Sequence, residues 1–188
     1  DMVVLEDGKV LAVGAIDGRA AVMRFKPGMH HLDESFGNSN GYTVLNDSPM
    51  GREFSSMEID DLGRIIAAGD RFVARFTPDG HFDLSFGVNG TTYFNKLGAK
   101  DNFRGQSYEI GLRKDGQIMV FCPDEIIHLN QNGEVVFSSD GAFGNETAIV
   151  LHADESVTMF SNNKWERNSK SLYVTKANGG YGGQTSQQ

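Results

Sequence analysis

The sequence predicts an all-β protein in which short antiparallel strands form four-stranded repeats. A tight turn ending in glycine recurs at Gly8, Gly63 and Gly116, at steps of 55 and 53 residues (63 minus 8 and 116 minus 63). Short runs of alternating apolar residues flank each turn, which is typical of β-hairpins. Because self-similarity at such a period marks a repeat architecture, these observations indicate a β-propeller, built of small sheets that stack on one another.

Each repeat is predicted to begin with two strands joined by this turn. In the fourth copy the turn is weaker and reads Asp154-Glu155-Ser156. The first strands are expected at 3–6, 57–60, 110–113 and 149–152, and the second strands at 10–14, 65–69, 118–121 and 157–160.

A third strand and a second turn follow in every copy. The third strands are expected at 20–25, 72–76, 125–129 and 171–175, and the fourth strands at 42–45, 92–95 and 135–138. The second turns are Lys26-Pro27-Gly28, Thr77-Pro78-Asp79-Gly80, Asn130-Gln131-Asn132-Gly133 and Lys176-Ala177-Asn178-Gly179.

About four blades are therefore predicted, and the last of them ends after its third strand. Such a chain forms either a partial ring or a ring completed by further chain or a second copy, and open blade faces are association surfaces. The predicted blades are residues 1–56, 57–108, 109–147 and 148–176, followed by a linker-like Gly/Gln/Ser-rich tail at 177–188.

The best-matched stretch is the connection to the fourth strand, where HLDESFG at 31–37 lies over HFDLSFG at 81–87. Each copy continues to an Asn-Gly pair. With the D-G-K turn and the P-D-G turn, this pattern resembles the delta-60 repeat, a bacterial β-propeller repeat of similar length. The resemblance is most specific at 7–41 and 62–90, and it implies a repeat architecture without catalytic residues that could be transferred.

Residues that return at one place in successive repeats are interpreted as turn and packing residues, because stacked repeats need the same group at the same position. We expect the two recurring arginines to pair with an acidic group or a carbonyl of a neighbouring repeat. The structural set comprises Gly8, Gly63, Gly116, Phe36, Phe86, Gly37, Gly87, Arg24 and Arg75.

Charge and composition restrict the partners. The formal net charge of -8 argues against nucleic acid, which selects a basic face. No apolar run reaches the roughly 20 residues that a bilayer crossing needs, so membrane insertion is not expected. The single cysteine, Cys122, cannot form an intrachain disulfide. Because Asp1-Met2 begins directly in an apolar run, we expect a fragment or a processed product.

Metal sites are not predicted, and no cofactor is expected. Calcium at the oxygen-rich turns with Asp33, Glu34, Asp79 and Asp83 and at residues 130–134 is the less favoured alternative, because the EF-hand spacing is absent and hairpin turns explain these residues. The histidines occupy equivalent slots of different repeats, as His31 and His81 do, and are therefore not expected to converge on a transition metal.

The sequence favours a non-enzymatic scaffold or binding module of a larger bacterial or phage-encoded extracellular or surface protein. No nucleophile elbow or phosphate loop is present. Paired carboxylates from different blades stay open, so the alternative is a carbohydrate-active hydrolase or lyase with its site on a propeller face. The expected partner is a protein, or a second copy packed through open blade faces.

An insertion in the fourth repeat, at 161–170, is the predicted contact surface. It carries Trp165, the only tryptophan, together with Lys164 and Arg167, and aromatic and basic residues on long loops are typical of binding sites. The alternative interpretation is that Trp165 covers the edge of its blade.

Overall fold

A computed structural model of the chain describes residues 1–46, 53–69, 71–94, 108–122, 125–140, 147–151, 157–162 and 170–175. All regular structure in these ranges is β-strand, which confirms the all-β prediction. Over the same ranges the structure contains no helix with the length and apolarity of a membrane span. The chain divides into two compact units, Asp1–Gly105 and Gln106–Gln188.

The first unit holds two four-stranded antiparallel sheets, each ordered as its strands follow in the chain. These sheets are the first and second repeats. The first consists of β1 (Met2–Val4), β2 (Val10–Ile16), β3 (Arg19–Phe25) and β4 (Tyr42–Val44), and the second of β5 (Phe54–Ile59), β6 (Ile65–Gly69), β7 (Phe72–Phe76) and β8 (Thr91–Tyr93).

The second unit holds one four-stranded and one three-stranded antiparallel sheet, the third and fourth repeats. The third contains β9 (Glu109–Leu112), β10 (Ile118–Phe121), β11 (Glu125–Leu129) and β12 (Val135–Asp140), and the fourth contains β13 (Thr147–Leu151), β14 (Val157–Asn162) and β15 (Lys170–Thr175). In the third repeat, β12 begins directly after the second turn, without the long connection of the first two repeats.

The recurring glycines occupy the β1–β2, β5–β6 and β9–β10 turns. Gly8, Gly63 and Gly116 have φ values of 79°, 74° and 77°, a left-handed conformation that glycine adopts without the steric cost of a Cβ. In the first of these turns the amide of Gly8 donates to the carbonyl of Leu5 at 2.9 Å. The local turn chemistry therefore sets the hairpin that begins each of the first three repeats.

The hydrophobic core of the first unit is shared by its two sheets. Strands β6 and β7 are buried along their whole length, whereas β1 is exposed along its whole length. Phe54 packs against Phe72 and Phe76, with ring centroids 5.2 and 5.9 Å away. The shared core includes Leu11, Val13, Ala20, Val22, Phe36 and Leu45 of the first repeat and Phe54, Met57, Ile65, Ala67, Phe72, Ala74 and Phe76 of the second.

Candidate functional site

The recurring polar residues of the first repeat converge on one carboxylate. Arg24 lies near the end of β3. It donates from Nε to Oδ2 of Asp33 at 2.9 Å and from Nη2 to Oγ of Ser35 at 3.2 Å. The Ser35 hydroxyl donates to Oδ1 of Asp33 at 2.7 Å. The guanidinium carbon of Arg24 lies 4.6 Å from the ring centroid of Phe36. One arginine thus binds a carboxylate and stacks on an aromatic ring at once.

The second repeat builds the same cluster with nearly the same distances. Arg75 donates to Asp83 at 2.8 Å and to Ser85 at 3.1 Å, and its guanidinium carbon lies 4.6 Å from the ring centroid of Phe86. The Ser85 hydroxyl donates to Asp83 at 2.6 Å. Arg75 is only 3% exposed. The shared S-F-G motif is therefore an arginine-binding element in both copies.

A second cation approaches each carboxylate from the first hairpin of its own repeat. Nζ of Lys9 lies 3.4 Å from Oδ2 of Asp33, and Nη1 of Arg64 lies 3.8 Å from Oδ2 of Asp83. The hydrogen bond from the Ser35 hydroxyl lowers the pKa of Asp33 most, and Arg24 lowers it further, against the opposing effect of burial. Burial raises the pKa of Asp83, but the hydrogen bonds from Ser85 and the charge of Arg75 outweigh it, so the net shift is downward. Both carboxylates are thereby held ionised.

The first repeat, at this cluster, forms hydrogen bonds to the second turn of the second repeat. Three successive carbonyls of residues 78–80 accept hydrogen bonds from the first repeat: Pro78 from Nη1 of Arg24 at 3.2 Å, Asp79 from the amide of Gly37 at 2.7 Å, and Gly80 from Oγ1 of Thr43 at 2.7 Å. We call Arg24, Asp33, Ser35, Phe36, Gly37 and Thr43 the socket, and residues 78–80 the docking turn.

Glycine is required at the last position of the docking turn. Gly80 has a φ of 88°, and a Cβ built on it would lie 2.5 Å from Cζ of Phe36. Such a distance is far inside van der Waals contact, so no larger residue fits without movement of the ring or the turn. The far end of the Phe36 ring therefore lies against a backbone position that only glycine leaves open.

The second turn of the first repeat differs in length from the docking turn. The sequence alignment of Lys26-Pro27-Gly28 with the docking turn is therefore wrong by one residue. The amide of Met29 donates to the carbonyl of Lys26 at 3.0 Å, just as Gly80 donates to Thr77 at 2.9 Å. Met29, with a φ of 59°, thus occupies the position of Gly80, and the turn is one residue longer. In the third repeat Gly133 holds this position, with its amide bonded to Asn130 and a φ of 81°.

The predicted role of the arginines needs one correction. Their acidic partners, Asp33 for Arg24 and Asp83 for Arg75, lie in the same repeat as the arginine, not in a neighbouring one. The carbonyl bound by Arg24 does come from the next repeat. In the third repeat His128 occupies the arginine's place. Its ring meets the Phe137 ring edge to face, with ring centroids 5.1 Å apart, and burial lowers the pKa of His128.

The residues considered for metal binding serve other contacts. Asp33 and Asp83 bind arginine and serine, Asp79 accepts from the Thr77 hydroxyl, and Oδ1 of Asn130 accepts from the amides of Asn132 and Glu134 within its turn. Within the described ranges, no three His, Cys, Asp or Glu side chains are grouped as metal ligands. The contact candidates Lys164, Trp165 and Arg167 lie outside the described residues. The insertion predicted at 161–170 is shorter than expected, because Ser161 and Asn162 belong to β14 and Lys170 begins β15, and these strands pair with each other.

Sequence reasoning missed Thr43, whose hydroxyl completes the socket. A usable signal was present, because Thr43 and Thr92 pair with Val22 and Val73 at the same register position of β4 and β8. It also missed that Asp33 and Ser35 act together with Arg24, since three residues spread over a strand and a connection show no local periodicity.

Comparisons with known proteins agree with this architecture. The family described as "Domain of unknown function (DUF5122) beta-propeller" matches residues 63–86, which run from the β5–β6 turn to Phe86. A protein of unknown function from Bacteroides caccae is similar in structure, with a TM-score of 0.58 and 11% sequence identity. The similarity covers 99% of this chain and 66% of that protein. No curated protein matches the sequence. The family match supports the predicted β-propeller repeat.

Proposed function

We propose that the chain is a non-enzymatic β-propeller scaffold and binding module, built from delta-60-type repeats and belonging to a larger extracellular, surface or phage structural protein. This proposal rests on the contacts made by the residues that recur between the repeats. Arg24, Thr43 and the Gly37 amide bind the backbone of the next repeat, and Asp33 holds Arg24 in place. These polar groups of the first repeat couple it to the second.

The electrostatics of the socket count against a hydrolase role for the same residues. A general acid at neutral pH needs a carboxyl whose pKa is raised. The pKa values of Asp33 and Asp83 are lowered, and each carboxylate is bound by a serine and an arginine. Neither carboxyl is therefore suited to donate a proton to a glycosidic oxygen.

Catalysis is tested by incubating the chain with oligosaccharides from bacterial and plant polysaccharides and measuring new reducing ends and unsaturated sugar products. We expect no product from the wild-type chain above a heat-unfolded control. Product formation would overturn the non-enzymatic proposal. Loss of that product in the Asp33→Asn/Asp83→Asn double variant, at a temperature where the variant is folded, would place the chemistry at the clusters.

The proposed contact surface for an external partner is the segment between β14 and β15, residues 163–169. Its support comes from the sequence, because the insertion interrupts the repeat and contains Trp165, Lys164 and Arg167. Trp165 is the only tryptophan, so its fluorescence reports on this loop alone. Titration with the same oligosaccharides, and separately with solubilised envelope proteins, should change the emission of Trp165. A signal that is unaffected by Lys164→Ala and Arg167→Ala would argue against this loop as the contact surface.

A further inference from the structure

The third repeat has a partly buried histidine where the first two repeats have an arginine. His128 on β11 pairs with Met119 of β10 on one side and with Phe137 of β12 on the other, and both of these neighbours are uncharged. The connection that supplies the arginine's carboxylate in the first two repeats has no counterpart here, because β12 begins directly after the second turn. The imidazole of His128 therefore lacks the aspartate that would favour its charged form.

The strand beside His128 is paired irregularly at this point. Phe137 pairs with His128, but the next pair joins Val135 to Leu129, so Val136 is an extra residue on β12. Such a β-bulge interrupts the ladder of hydrogen bonds locally. Within its sheet β12 is an edge strand and pairs with β11 alone. The contact between the His128 and Phe137 rings, with centroids 5.1 Å apart, thus lies at an interrupted part of the ladder.

The charges around His128 do not compensate for its burial. Among the described residues, the charged groups that act on the ring are Arg113 and Asp115 of the β9–β10 turn. Burial lowers the pKa of His128 most, Arg113 lowers it further, and Asp115 opposes both. Asp115 is shared with Arg113, whose Nε lies 3.7 Å from Oδ1 of the carboxylate. The carboxylate of Glu134, beside β12, accepts a hydrogen bond from Nδ2 of Asn130 at 2.7 Å.

We propose that His128 is an acid-sensitive latch, which holds β12 on β11 while its imidazole is neutral and loosens β12 when the imidazole becomes charged. A charged ring at this position would be partly desolvated and close to the cation of Arg113. An edge strand with a bulge can move away from its sheet more easily than a central strand can. This inference goes beyond the proposed scaffold function and does not depend on it.

Acid should destabilise the third repeat, and the sign follows from the direction of the pKa shift. The pKa of His128 is lower in the folded chain than its usual value of about 6.5. Above that value the ring is neutral in both states and the latch is closed. As the pH falls below about 6.5, the unfolded or opened form binds the proton more readily than the closed form, so opening becomes easier. Histidine thus places the change close to neutral pH.

Hydrogen exchange of the full chain, from about pH 7.5 to about pH 5, tests the latch. Protection factors, which are corrected for the intrinsic pH dependence of exchange, are measured for the amides of β12 and of β7. We expect the protection of β12 to fall at least several-fold across this range and that of β7 to stay constant. Unchanged protection of β12 would overturn the proposal, and so would an equal loss of protection in β7.

Two matched substitutions locate the effect. In His128→Gln the side chain is polar and neutral at every pH, so the protection of β12 should no longer fall in acid. His81→Gln makes the same change at a histidine whose side chain is 52% exposed in the second repeat, and it should leave the fall in β12 unchanged. A fall that persists in His128→Gln would contradict the latch.

A measurement on the wild-type chain keeps the test independent of how the variants fold. The ring protons of His128 are followed by nuclear magnetic resonance across the same pH range. We expect them to titrate with a pKa below about 6.5, together with the loss of protection in β12. A pKa at or above that value, or a titration that leaves β12 protected, would overturn the proposal.

Discussion

Phe36 of the first repeat and Gly80 of the second are in direct contact, with a Cβ at residue 80 excluded by a distance of 2.5 Å to the phenylalanine ring. Three hydrogen bonds to the carbonyls of residues 78–80 surround this contact. The ring supplies apolar burial and the hydrogen bonds supply direction, so the two repeats dock in one register. The predictions below each remove one part of this arrangement.

Gly80→Ala should destabilise the first unit more than Gly28→Ala does. Both glycines have a φ near 90°, so both substitutions cost about 1–2 kcal/mol for a left-handed alanine. Only residue 80 also meets the Phe36 ring, which adds about 1–3 kcal/mol of overpacking. Urea unfolding of the two variants measures the difference. Equal losses would show that the ring yields without cost.

Phe36→Ala should lower the free energy of unfolding by about 3–5 kcal/mol, because it leaves a cavity between the two repeats. Its effect should be coupled to that of Gly80→Ala, since the methyl group at residue 80 enters the space that the ring vacates. The double variant should therefore be more stable than the sum of the single losses predicts. Additive losses in this double-mutant cycle would contradict the proposed contact, and Phe137→Ala at an exposed ring serves as the control.

Asp33→Asn should destabilise the protein at neutral pH by about 1.5–3 kcal/mol, the usual value of a hydrogen bond to a charged group. The pKa of Asp33 is lowered on folding, so its stabilising contribution is complete above the unfolded-state value of about 4 and is lost as the pH falls toward the folded-state value. The difference in the free energy of unfolding between wild type and variant should therefore narrow below about pH 4. Asp61→Asn, at an exposed carboxylate, controls for the change in net charge. A gap that stays constant with pH would assign the loss to packing.

Thr43→Val should loosen the docking turn without altering its shape. The variant removes the buried hydrogen bond to the carbonyl of Gly80 and leaves that acceptor unpaired, at a cost of about 1–3 kcal/mol. Hydrogen exchange at the Gly80 amide, which donates to Thr77, should accelerate. The Gly133 amide occupies the same turn position in the third repeat and serves as an internal reference. Equal acceleration at both amides would indicate global destabilisation.

Much of the fold could be predicted from the sequence because its determinants are local. Residues 72–76 and 125–129 were expected as third strands and form β7 and β11 with the same bounds. Alternating apolar residues and turn glycines act over a few positions, so they are visible in a linear chain. The second turn of the first repeat was misaligned, because an extra residue moved Met29 into a glycine's place while Pro-Gly still resembled the other turns.

By itself, the sequence determined the all-β class, the repeat period and the residues that recur in the first two repeats, since each follows from local hydrogen bonding and periodicity. Only the tertiary structure decided what those residues contact. It pairs Arg24 with Asp33 of its own repeat and with Pro78 of the next, and it sets the Phe36 ring on Gly80. These contacts depend on how one sheet stacks on another, and stacking joins residues about 40 to 55 positions apart that no local pattern relates.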